Sequence, residues 1–326
     1  MKLSELKAGD GKKQKLRLPI ISPYPIEITV ICGRKPGKSL VVTAGVHGCE
    51  YVGIEALRSL CMELNPDDIS GRVILLPLVN PEGFYQGAKQ IIPTDKQNLN
   101  RMFPGNKAGS FSSQLAKSLE ETLYQEADFF MDLHGGDVNE ALTPLIFFPT
   151  AVSEKLMHQT AAAAAALSVS YRVASTAKNG LYSWAAQCGI PSLLVERGEC
   201  GLWSQREVEA CKNNVYEVMW HLGMIDEARM PDTAVFQTQV SALPPDQVEI
   251  RETFYEESPC DGFWYPAMMQ AGQFLSKGDL IGTLKDFAGE EMFRCIAPFD
   301  GVILYYTLSL GVKAGDPLTA FGRIEK

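Results

Sequence analysis

Apolar and polar positions along the 326-residue chain follow two rhythms. Short unbroken apolar runs, typical of strands buried on both faces, alternate with longer stretches whose apolar residues recur at helical spacing. The runs at 40–44, 73–79 (VILLPLV), 127–134 (ADFFMDLH), 144–149 (PLIFFP) and 192–196 (SLLVE) read as buried strands. Residues 50–64, with Ile54, Leu57, Leu60 and Cys61 on one face, read as a helix. So do 112–127 (with a serine N-cap), 153–168, 180–190 and 204–224. Residues 16–31 look like opening β structure punctuated by prolines, 33–38 (GRKPGK) like a turn, and NPDDISG at 65–71 breaks the first helix. The alternation predicts an α/β fold, with a mixed, mostly parallel sheet flanked by helices.

After residue 232 the rhythm changes. Residues 233–250 read as a linker or connecting strands. Beyond them, short β runs are separated by SPCDG, QAGQ, KGD, AGEE, PFDG and LGVKAGD. Turn signals that close together predict a small all-β barrel or sandwich. The division expected is a chemistry-bearing domain at 1–240 and a β domain at 241–326. Within the latter, KGDLIG and AGDPLTAFG echo each other as two turn–strand units.

Composition narrows the function. A net charge of -9, with no Lys/Arg-rich block, argues against a nucleic-acid surface. No stretch approaches the ~18 apolar residues of a membrane span. The basic N-terminal segment is followed by no apolar run, so it does not read as a signal peptide. The eight cysteines are scattered, with no CxxC pair, which suits reduced thiols in a cytoplasmic protein. The expected partner is a small molecule; the residues do not specify whether the chain forms a homo-oligomer.

The candidate chemistry sits where strands end. GVHGCE follows the run at 40–44 and places His47 and Glu50 three residues apart at a strand's carboxyl end, where open α/β sheets bind ligands. An imidazole and a carboxylate on one face of a helical turn make two-thirds of a catalytic zinc site. His134, closing DLH before two glycines, supplies a third ligand. His158 and His221 lie inside helical patterns and read as surface or packing residues. Cys49, at the second position of H-x-x-E, should point away and pack. Glu196 ends SLLVE, and a carboxylate there is costly to bury unless paired or working. It reads as a general base, against a salt bridge to adjacent Arg197, with Glu199 as a rival acid. In NLNRMFPG, Asn100 and Arg101 offer an amide and a guanidinium fork that match a carboxylate; an arginine tying down a long loop is the structural alternative.

GVHGCE, NPEGF, NLNRMFPG, DLHGG and LLVERG, in this order, resemble the succinylglutamate desuccinylase/aspartoacylase family of the zinc-carboxypeptidase superfamily, across roughly residues 30–225. PFDGVIL…LGVKAGDPL resembles the β-barrel that many bacterial members append, related in shape to biotin/lipoyl domains; no lysine sits in a biotin-like M-K-M turn, so no carrier role follows. The resemblance implies one zinc ion held by His47, Glu50 and His134, with Glu196 as acid/base. It also implies Asn100 and Arg101 on the substrate carboxylate, and hydrolysis of the amide in a small N-acylated amino acid. The family's oxyanion arginine upstream of NLNR is missing. GAKQIIPTDKQ stands there, with Lys89 as the candidate substitute beside Gln90. Two other functions fit the same residues: a metallocarboxypeptidase trimming peptides in an open groove, and a zinc-binding sensor or scaffold that has lost catalysis.

Overall fold

The apolar runs pair into a nine-stranded sheet in the computed structural model, which describes residues 3–20, 22–231, 246–267 and 270–324. Its strands are β1 (Lys12–Arg17), β2 (Glu27–Cys32), β3 (Lys35–Ala44), β4 (Ser70–Leu76), β5 (Phe129–His134), β7 (Leu145–Pro149), β8 (Tyr171–Ser175), β9 (Ser192–Glu196) and β10 (Val248–Ile250), while the short β6 (Glu140–Leu142) lies elsewhere. They lie in the order β1-β2-β4-β3-β5-β9-β7-β8-β10. Neighbours run parallel from β4 through β3 and β5 to β9, and from β7 through β8 to β10; the remaining pairs are antiparallel. The sheet is therefore mixed and mostly parallel. The turn expected at 33–38 is instead partly strand, because β3 already begins at Lys35. Its pairing with β4 shifts register before Ser39, where a side chain on Gly37 would lie 2.7 Å from the Gly71 nitrogen.

Helices α1 (Tyr51–Glu63), α2 (Pro81–Gln86), α3 (Phe111–Leu123), α4 (Glu154–Ala165), α5 (Leu181–Gln187) and α6 (Gln205–His221) fill the connections. Serines at 110, 153 and 204 cap α3, α4 and α6, each accepting from the backbone N–H three residues on; such a cap contributes about 1 kcal/mol. Leu40 and Val42 pack with α1, α4 and α6 on one face, while Val41 packs with α3 and α5 on the other. Burial on both faces is why β3 reads as one apolar run.

The C-terminal strands are β11 (Thr253–Glu257), β12 (Gly262–Pro266), β13 (Phe274–Leu275), β14 (Leu280–Lys285), β15 (Glu291–Ile296), β16 (Gly301–Thr307), β17 (Gly311–Val312) and β18 (Pro317–Arg323). They form two sheets, β11-β18-β16-β13 and β15-β14-β12-β17, around Trp264, Ile281, Leu284, Ile303 and Phe321. The boundary expected at 240 lies outside the described residues. Two strands stitch the parts together. β10 extends the large sheet through β8, and β6, which follows the candidate ligand His134, pairs antiparallel with β16. Leu145, Tyr171, Val173 and Ile250 meet Val302, Leu304 and Ala320 in one buried cluster at this junction. Among the described residues, no helix is long and apolar enough to cross a membrane.

A candidate metal centre at the strand ends

β3, β5 and β9 are parallel neighbours, so their carboxyl ends open on the same edge of the sheet. His134 and Glu196 stand in register there as the last residues of β5 and β9. The chains leave the sheet in close contact: a Cβ on Gly135 would lie 2.2 Å from the Arg197 carbonyl oxygen. Gly48 is equally constrained, since a Cβ there would lie 2.1 Å from the Phe84 nitrogen in α2. These contacts explain the glycines beside both histidines.

Glu50 occupies the N-cap of α1, but its side chain caps nothing. It reaches back between the two imidazoles. The Nδ1 of His47 is 2.7 Å from Glu50 Oε1, and the Nδ1 of His134 is 2.8 Å from Glu50 Oε2. The outer nitrogens have other partners: His47 Nε2 is 3.1 Å from Asn98 Oδ1, and His134 Nε2 is 3.0 Å from Asp132 Oδ2. Asp132 is fully buried, and its Oδ1 accepts from the Thr43 hydroxyl at 2.6 Å. Each ring thus sets its Nε2 against an oxygen and its Nδ1 toward Glu50, an orientation that suits a metal ligand held from behind through Nε2–H.

His47, Glu50 and His134 are buried, and one ligand atom from each lies within 4.8 Å of the others. Glu50 Oε2, though close to His134, has no hydrogen-bond partner. An orphaned buried carboxylate oxygen beside two inward imidazole nitrogens suits a divalent cation. Burial alone would raise the Glu50 carboxyl, but His47 and His134 hold it down at about 2. Burial likewise opposes charge on His134, yet Glu50 and Asp132 push its imidazole well above the ordinary value.

Glu196 borders this group, with its Oε2 buried and unpartnered. Burial pushes its carboxyl well up, the His134 attraction opposing and Glu50 and Glu140 adding repulsion. Its neighbour Arg197 points elsewhere, to Asn214 Oδ1 (2.7 Å), Glu207 Oε2 (3.1 Å) and the Ser168 carbonyl (3.1 Å), so it is not the partner of Glu196. Glu199 accepts from the Leu142 N–H and is not at the cage. Cys49 Sγ faces the Ala88 carbonyl, and His158 and His221 are exposed on their helices.

Asn100 is buried and uses its Oδ1 to accept the Leu181 N–H at the start of α5 (2.9 Å), leaving its amide nitrogen without a partner among the described residues. Arg101 is exposed, and its Nη1 donates to the Asn100 carbonyl. It lies within electrostatic reach of Tyr255 and Tyr305, on β11 and β16, which also feel Glu196. Lys89 acts electrostatically on Asp137, in the turn between β5 and β6, and on Glu140, the first residue of β6.

Asp132, Asn98, Asp137, Glu140 and the two tyrosines are additions to the residues picked out from sequence. Asp132 carried a signal, since it is the only carboxylate in the apolar strand FFMDLH.

Residues 36–222 match the model of the succinylglutamate desuccinylase/aspartoacylase catalytic domain. The chain is similar to the N-alpha-acetyl-L-2,4-diaminobutyric acid deacetylase of Halomonas elongata, with 25% identity over 92% of this chain and 86% of that one. A 106-residue stretch is 30% identical to the succinylglutamate desuccinylase of Pseudomonas paraeruginosa, covering 32% of this chain and 30% of that enzyme. Among solved structures, a succinylglutamate desuccinylase/aspartoacylase from Rhodobacter sphaeroides superposes with a TM-score of 0.83 at 27% identity, over 96% of both chains. The product-bound ectoine utilization protein EutE (DoeB) from Ruegeria pomeroyi shares the fold, with a TM-score of 0.81 at 24% identity over 96% and 95% of the two chains. With a catalytic-domain match that takes in the strand ends and all three inward-facing donors, this chain belongs to the succinylglutamate desuccinylase/aspartoacylase family.

Proposed function

We propose that the chain is a zinc-dependent amidohydrolase acting on small N-acylated amino acids, with His47, Glu50 and His134 holding one zinc ion. The observation that carries this reading is the in-register pairing of His134 with Glu196, which supports a carboxylate beside the inward-facing donors as the proton acceptor. The named activities of the relatives, a deacetylase and a desuccinylase, support the class. Zinc, when bound, supplies a Lewis acid and lowers the pKa of a coordinated water to about 7.

The remaining work falls to this chain's own side chains. Glu196 takes a proton from the attacking water on its carboxylate and returns it to the leaving nitrogen, so the amine departs neutral. Asn100, with its oxygen engaged at α5, offers its NH₂ to the substrate carboxylate, and Arg101 adds a guanidinium fork. Lys89 supplies a cation toward the developing oxyanion. The stitching of β6 to β16 and the proximity of Tyr255 and Tyr305 to Glu196 support a roof over the site that favours small amides over peptides. The described cysteines are all free, which supports a reducing, cytoplasmic setting.

The test is hydrolysis of a panel of N-acyl amino acids by the zinc-loaded protein beside Glu196→Gln. General base catalysis is worth roughly 10²–10⁴ in rate, so the variant should lose that much while still binding zinc. Cleavage of peptides with free C-termini in place of the panel would favour a carboxypeptidase. Equal inertness of both proteins would favour a sensor.

A further inference from the structure

The short helical turn Leu99–Arg101, which carries the two candidates for the substrate carboxylate, starts from Asn98, and Asn98 holds it twice. Its side-chain Oδ1 accepts the Asn100 N–H at 2.9 Å, and its backbone carbonyl accepts the Arg101 N–H at 3.0 Å. The turn is fastened on its far side as well. Asn100 Oδ1 accepts the Leu181 N–H, and the Phe103 N–H donates to the Asn179 carbonyl at 3.2 Å. Packing there is tight, since a Cβ on Gly180 would lie 2.5 Å from Asn100 Oδ1.

The same Asn98 Oδ1 is 3.1 Å from His47 Nε2, across 51 positions of chain. A backbone N–H can only donate, so the Asn98 atom that faces Asn100 is the oxygen and not the NH₂. The imidazole therefore closes its side of the bridge only as a donor, through Nε2–H, with Nδ1 toward Glu50. Capping a turn does not call for this arrangement by itself. A serine caps as well, but its hydroxyl sits one bond closer to the backbone and leaves the ring out of reach.

Resting on the hydrolase reading above, we propose that Asn98 is a positioning residue that yokes the metal cage to the carboxylate clamp. Zinc at the cage orders the turn that presents Asn100 and Arg101, and a carboxylate on that turn tightens the hold on zinc by the same factor. The yoke is one shared oxygen: a ring fixed by an ion fixes Asn98, and a fixed Asn98 fixes the two N–H bonds that shape the turn. Metal-free protein then grips a carboxylate loosely, for a reason separate from the Lewis acid it lacks.

The experiment follows amide hydrogen exchange of the segment 98–103, with and without zinc, in wild type, Asn98→Ser and Asn98→Asp. In wild type zinc should slow exchange at Asn100 and Arg101 by about fivefold or more, the worth of one hydrogen bond. Asn98→Asp keeps both acceptor contacts and should keep the response. Asn98→Ser keeps the cap but releases the ring, so the response should vanish, and zinc affinity against a chromophoric chelator should fall roughly 10- to 100-fold. At saturating zinc its KM, for the best cleaved of N-acetylglutamate, N-acetylnorvaline and Nα-acetyllysine, should rise about fivefold with kcat within about threefold. A residue that merely caps the turn would change exchange equally with and without the ion. If zinc leaves these amides unaffected in wild type, protects them as strongly in Asn98→Ser, or fails to protect them in Asn98→Asp, the yoke is overturned and the hydrolase reading stands. If wild type binds zinc but cleaves none of the three substrates, the hydrolase reading falls and takes the clamp half of the yoke with it.

Discussion

Replacing Asp132 by asparagine tests whether the proposed metal centre is built from the outside inward. The carboxylate is fully buried between the Thr43 hydroxyl and His134 Nε2. Asparagine keeps its shape and an acceptor for Thr43, but sets an NH₂ against the imidazole N–H. The ring escapes that clash by moving its proton to Nδ1, the nitrogen facing Glu50, where a ligand needs a lone pair. Losses behind a metal-bound histidine typically cost 10–100-fold in ion affinity, about 1.4–2.7 kcal/mol. The charge-assisted hydrogen bond removed is worth roughly 1.5–3 kcal/mol, the same range by another route. Zinc affinity measured against a chromophoric chelator should fall accordingly. In thermal unfolding at saturating zinc, a site about thirtyfold weaker gives up about 2 kcal/mol of ion-linked stabilisation. The metal-free form loses part of that hydrogen bond as well, so the diagnostic is the additional loss at saturating zinc. Asp132→Ala also strands the Thr43 hydroxyl and should destabilise both forms further. Asparagine protein that binds zinc within about twofold of wild type, or that loses stability equally with and without the ion, would refute the reasoning.

Because the carboxylates around His134 raise its imidazole, an incoming ion must displace a proton, so zinc affinity should climb with rising pH, with protons released on binding. Calorimetric titrations in buffers of different ionisation heat measure both; an affinity independent of pH would contradict the assignment. Chelation should abolish hydrolysis and lower the unfolding temperature, with recovery on adding zinc back. Arg197→Met strips three acceptors, two of them the Asn214 amide oxygen and the Ser168 carbonyl, and should cost about 2–4 kcal/mol by urea denaturation. A midpoint unchanged from wild type would mean that water replaces the guanidinium there.

Much of the large sheet was legible because strands covered on both faces leave an unbroken apolar signature, as Leu40, Val41 and Val42 do by packing alternately to either side. The three inward-facing donors were legible for a related reason: imidazoles and a carboxylate stood next to glycines at strand ends, where packing does not call for them. What escaped depended on distance along the chain. Asn139 meets Thr307 across 168 positions, and no local pattern announces that β6 will pair with β16. The electrostatic proximity of Glu140 and Tyr305 to Glu196 goes with that pairing, since they lie on its two strands. Asn100 shows another limit: its residue type suggested a substrate contact, but half of its side chain is spent holding the start of α5.

The join of β6 to β16 also bears on how the molecule is made. A ribosome delivers His134 and the turn beyond it long before β16 emerges, so a nascent chain carries an unmated β6 edge beside the cage until β16 follows. Assembly of this corner thereby waits on β16, and exchanging C-terminal modules between relatives would exchange the strand that β6 pairs with as well.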